Sequence, residues 1–68
     1  MNSKIIKSKR TSYGAVELIE FKDNFGKIIS YSAILAHYDN NTKGGAAKKE
    51  EKIFSNEKKA VEFFNNQN

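Results

Sequence analysis

Few residues in this 68-residue chain are of a type and spacing that could do chemistry. His37 is the single histidine, and there is no cysteine. The missing thiols exclude a disulfide framework, an iron–sulfur cluster, a thiolate zinc site and a cysteine nucleophile together. A metal site without cysteine needs several histidine or carboxylate ligands, and neither a His-x-x-x-His nor an Asp-x-Asp-type cluster occurs. His37 therefore reads as a surface or hydrogen-bonded residue at a strand end beside Tyr38. Glu17 and Glu20 stand three apart, which in a strand sends them to opposite faces and prevents a paired-carboxylate site. Glu50 and Glu51, next to Lys48 and Lys49, read as solvation of a loop. Gly44-Gly45 ahead of Lys48 and Lys49 resembles a phosphate cradle but lacks the Gly-x-x-x-x-Gly-Lys-Ser/Thr spacing. With no convergent constellation in view, the expectation is a protein that is not an enzyme and uses no cofactor and no metal.

Binding chemistry is better represented. Tyr13, Phe21, Phe25, Tyr31 and Tyr38 are interleaved with Lys9, Arg10, Lys22 and Lys27, the combination with which sheet faces and hairpins hold nucleic acid. Lys and Arg number 12 against 8 Asp and Glu, a formal charge of +4. The excess is localised. Residues 1–10 hold Lys4, Lys7, Lys9 and Arg10 with no acid, and residues 43–52 hold Lys43, Lys48, Lys49 and Lys52 against Glu50 and Glu51. Blocks of like charge carry partner information where totals do not. Lys7, Lys9, Arg10, Lys22, Lys27, Lys43, Lys48 and Lys49 are the candidate phosphate contacts. An acidic inhibitor mimicking DNA would need the opposite sign.

These residues must be positioned by very little structure. The chain is expected to form one small domain, residues 1–68, in which the core supplies only about 3–5 kcal/mol. Residues 13–22 alternate as a strand, Asp23-Asn24-Phe25-Gly26 supplies turn chemistry, and residues 27–38 read as a second strand, giving a hairpin over 13–38. Residues 39–50 are polar and glycine-rich and read as a flexible loop. Residues 51–54 are expected as a short strand, and 55–65 as a helix with Ser55 as N-cap and Glu57 in its first turn. Residues 1–10 are a basic arm or an edge strand. The fold class expected is α+β, a three-stranded or four-stranded antiparallel sheet with the helix on one face.

A two-residue turn centred on Asn24 and Phe25 would oppose Val16 to Ala33, Leu18 to Tyr31 and Glu20 to Ile29, whereas a three-residue turn would shift these pairs and keep the two faces. That face, extended by Leu35, is the expected floor for Phe64, Val61 and Ala60. The other face carries Ala15, Glu17, Ile19 and Phe21 across from Ile34, Ser32, Ser30 and Ile28, with Tyr13 and Tyr38 toward its end. One helix covers one face only, so Tyr13, Ile19, Phe21, Ile28, Ile34 and Tyr38 are left as a candidate protein interface, for a homodimer or for another protein.

No apolar stretch of the about 7–15 residues needed for a signal peptide is present, and none approaches the roughly 20 needed to span a bilayer. A soluble, cytoplasmic protein with no membrane partner is expected. The 11 Lys and 8 Asn suit the A/T-rich codons of a low-GC bacterium, a phage or another mobile element. The order of three strands then a helix, with Lys52-Ile53-Phe54-Ser55 running into Glu57, Ala60 and Phe64, resembles the small sheet-reading DNA-binding arms of phage-type integrases over the last half of the chain. The strongly basic strands of those arms are missing here, and no residue role is carried over. Two functions follow as expectations: stoichiometric binding of nucleic acid or a nucleoprotein complex, or a protein-binding inhibitor or modulator of host machinery that uses the mixed sheet face.

Overall fold

The computed structural model describes residues 2–38 and 47–68. Four strands run in chain order across one antiparallel sheet: β1 (Asn2–Thr11), β2 (Gly14–Lys22), β3 (Ile28–Tyr38) and β4 (Ala47–Phe54). The helix α1 (Glu57–Asn65) returns across β2, β3 and β4. This is the expected α+β class, with the basic N-terminal segment forming edge strand β1. The order of three strands then a helix thus gains a fourth strand at its start.

Two boundaries differ from the sequence reading. Residues 47–50, expected as loop, belong to β4, where Lys48, Lys49 and Glu50 pair with His37, Ala36 and Leu35. An edge strand keeps its side chains near water, so it forms without an apolar pattern and is protected by its charges. The remainder of the expected loop, residues 39–46 with Lys43 and Gly44-Gly45, lies outside the described residues. The helix N-cap is Asn56, not Ser55: its Oδ1 accepts the Lys59 N–H at 3.2 Å.

The hairpin register also differs, for a reason that lies in the turn. The Asp23 N–H donates to the Lys27 carbonyl at 2.8 Å, and Gly26 takes φ +83°. The loop is therefore three residues long and closes through a glycine in the left-handed region. The Asp23 carboxylate secures it by accepting the Phe25 N–H at 2.8 Å and the Lys27 N–H at 2.9 Å. A bulge then leaves Ile29 without a partner, between the pairs Lys22–Ile28 and Phe21–Ser30. Val16 opposes Leu35, Leu18 opposes Ala33 and Glu20 opposes Tyr31, two residues from the expected pairing. A shift of two preserves which face each side chain takes from Ser30 onward, whereas Ile28, ahead of the bulge, is set opposite Lys22 on the helix side and so leaves the expected interface face.

The core consists of Val16, Leu18, Tyr31, Ala33 and Leu35 from the sheet with Ala60 and Phe64 from the helix. Val61 packs against it, as expected. Ile29 does not, being 51% exposed beside the bulge, and Tyr31 takes the place expected for it.

Candidate binding surface

The helix lies over β2–β4 and leaves the same side of β1 uncovered. In a regular strand, Lys4 and Lys7 would face opposite ways. The β1–β2 register breaks between Ile5 and Lys7, however: Lys4 pairs with Glu20, Lys7 with Leu18 and Lys9 with Val16. These three partners all lie on the helix side of β2, so the bulge at Ile6 brings Lys4, Lys7 and Lys9 into one row. Ile6 itself packs against the core. The Lys7 and Lys9 ammonium groups lie 5.9 and 4.9 Å from the centre of the Phe64 ring, so both side chains reach toward the helix. Strict alternation hides Lys4 from this group, and only the bulge recruits it.

The other candidate phosphate contacts are dispersed. Arg10 pairs with Ala15 and Lys49 with Ala36, placing both on the face opposite the helix. Lys48, opposite His37, belongs to the helix side. Lys22 and Lys27 stand at the hairpin end, roughly 23 Å along β2 from the Arg10 row by the rise of a strand. The Lys22 ammonium lies 3.4 Å from a Glu20 carboxylate oxygen. Beside them Phe25 is 96% exposed at the apex of the braced turn.

The open face is ordered in rows by the register. Arg10, Ala15, Ala36 and Lys49 form one row; Ser8, Glu17, Ile34 and Glu51 the next; Ile5, Ile19, Ser32 and Ile53 the third. Phe21 follows, between Ser3 and Ser30. The expected pairing of Phe21 with Ile28 does not occur, because the turn and bulge set Ile28 opposite Lys22. Ile19, Phe21 and Ile34 are half-buried, while Ile5, Ile53 and Tyr38 are exposed. Ser32 is 2% exposed although no helix lies above it, with Ile19 and Ile53 on either side of it in its row. Ile5 and Ile53 complete this patch from strands that the hairpin alone did not bring into consideration.

Tyr13 departs from the expected interface. Its ring stacks on His37 with centres 4.6 Å apart, and its hydroxyl donates to Gln67 Oε1 at 2.8 Å. It therefore joins the helix side, where it packs against the core. His37 Nε2 is buried without a hydrogen bond, 3.9 Å from a Glu50 carboxylate oxygen. Among the described residues, no group of three or more histidine and carboxylate side chains is placed to hold a metal ion, and no helix is long and apolar enough to cross a membrane. No protein-family model, curated protein or solved structure matches the chain.

Proposed function

We propose that this is a non-enzymatic binding protein that holds nucleic acid, free or within a nucleoprotein complex, along the flank of β1. The observation that supports the reading is the row Lys4, Lys7 and Lys9, aligned by the Ile6 bulge on a strand that has no acid of its own. Successive members stand about 6.6 Å apart along the strand, a step close to that between neighbouring phosphates of a nucleic acid chain. Lys4 and Lys7 are exposed and Lys9 half-buried along this row, since the helix lies over the other three strands. Each ammonium that meets a phosphate releases condensed counterions, which makes such binding sensitive to salt.

The test is the affinity for single-stranded and duplex oligonucleotides as a function of salt. Lys7→Gln with Lys9→Gln should flatten the dependence of log K on log salt by roughly 1 per lost phosphate contact. Lys27→Gln should have a smaller effect than either. Binding that does not weaken between low and physiological salt would refute the reading. A second reading, a modulator of a host protein, is favoured by the exposed Ile5, Ile53 and Tyr38 on the open face. It requires capture of a partner protein that survives nuclease treatment and is lost with Ile53→Ser.

A further inference from the structure

We infer that the open sheet face is the interface of a two-fold symmetric dimer of this chain. Both edges of the sheet discourage growth by strand addition. β1 is bulged and carries four cations, and β4 presents Lys48, Lys49, Glu50, Glu51 and Lys52 in succession. Association is thereby directed to the face.

The face is complementary to itself. Its basic row, Arg10–Ala15–Ala36–Lys49, lies beside its acidic row, Ser8–Glu17–Ile34–Glu51. A two-fold axis running across the strands midway between them lays each row on the other row of the second copy. Lys49 then meets Glu51 of the second copy, and Glu17 of that copy lies over Ala15 beside Arg10. Within one chain, Arg10, Glu17, Lys49 and Glu51 form no ion pair among the described residues. Shape follows the same symmetry. The alanine pair Ala15–Ala36 leaves a hollow of about 170 Å³, edged by Ile34, Tyr38 and Lys49. Ile34 of the second copy stands over Ala36 and fills it. One row further out, Tyr38 of the second copy comes over Ser32, between Ile19 and Ile53. The exposed Tyr38 and Ile53, at 56% and 68%, are thus covered by one operation. Aligned sheets pack about 10 Å apart, within reach of these side chains, and a symmetric dimer requires this kind of self-complementarity.

Sedimentation equilibrium of the full chain and its charge variants tests the geometry. Wild type should dimerise. Lys49→Glu, at an exposed position, should weaken the dimer at least about tenfold by setting like charges opposite one another. Adding Glu51→Lys to that variant should restore it, with the circular dichroism spectrum unchanged throughout. Ala36→Trp should abolish the dimer by filling the hollow. A wild type that stays monomeric, including one that uses this face only for a different protein, would overturn the proposal. So would a dimer unmoved by Lys49→Glu, or a double variant no stronger than the single one.

Discussion

Replacing Gly14 with alanine should unfold much of the protein, whereas the same change at Gly26 should cost far less. Both glycines have positive φ, +154° and +83°. Their surroundings differ. A Cβ on Gly14 would stand 2.0 Å from the main-chain oxygen of Ala36 and 3.2 Å from the Tyr38 amide nitrogen, both on β3. On Gly26 it would meet nothing within 4 Å. The backbone conformation alone costs a non-glycine residue about 1–3 kcal/mol. Relieving the contact at Gly14 further requires β2 and β3 to separate on the order of an ångström there. That breaks hydrogen bonds such as Tyr38 N–H to the Tyr13 carbonyl, 3.0 Å long, each worth about 1 kcal/mol net. With two such bonds lost, Gly14→Ala costs roughly 3–5 kcal/mol, equal to the whole stability of a domain this small. Gly26→Ala keeps only the conformational part, about 1 kcal/mol. Urea denaturation followed by circular dichroism measures both variants. A Gly14→Ala protein no less stable than Gly26→Ala would refute the close approach of the two strands.

Phe64→Ala removes the larger of the two side chains that the helix buries in the core and should cost about 3–5 kcal/mol, leaving a protein largely unfolded at room temperature by near-ultraviolet circular dichroism. Asn56→Ala removes the helix cap and should cost about 1 kcal/mol in the same denaturation experiment. Tyr31 has its pKa raised, first by burial and then by the Glu57 and Glu20 carboxylates, which oppose a phenolate. Its folded value lies above the unfolded value of about 10, so this stabilisation is complete below that pH and is lost as pH rises through the folded value. Tyr31→Phe should flatten the alkaline fall in melting temperature, and in wild type one tyrosine of three should ionise late by its absorbance.

The sequence disclosed the faces of the central hairpin and the identity of most of the core because alternation along β2 and β3 is a local property. Val16, Leu18, Ala33 and Leu35 could be assigned to one side before their partners were known. The partners themselves depended on one hydrogen bond, from Asp23 to Lys27, which made the turn three residues long and moved Tyr31 into the place expected for Ile29. The second half of β4 was legible in Lys52-Ile53-Phe54, and its first half was hidden for a different reason. Residues 47–50 have no strand pattern, and they join the strand by pairing along the edge of β3. Tyr13 was assigned by alternation to the open face, yet its position at the turn and its bond to Gln67 turn it toward the helix. The lysine row was least legible, since one unpaired residue, Ile6, reverses the facing of everything before it.

That bulge connects the two proposals. It sends Lys4 to the helix side and Ile5 to the open face, opposite Ile19, so the same irregularity completes the lysine row and the aliphatic patch. The proposed two-fold axis runs across the strands and therefore places both β1 strands along one edge of the dimer, antiparallel to each other. Their lysine rows point outward on either side of that edge, while the mixed-charge β4 strands lie on the opposite edge. Dimerisation then doubles the cations presented to one polyanion without any new contact, the condition under which linked sites gain affinity. Lys49 lies on the β4 edge, away from both rows. Lys49→Glu should nonetheless lower oligonucleotide affinity and flatten its salt dependence, because it separates the rows into monomers. Adding Glu51→Lys should restore both, which distinguishes loss of the dimer from loss of a phosphate contact. Lys7→Gln with Lys9→Gln should do the reverse, weakening oligonucleotide binding while leaving the dimer intact. If the two sets of variants changed both properties alike, the division of the molecule into a polyanion flank and a self-association face would be wrong.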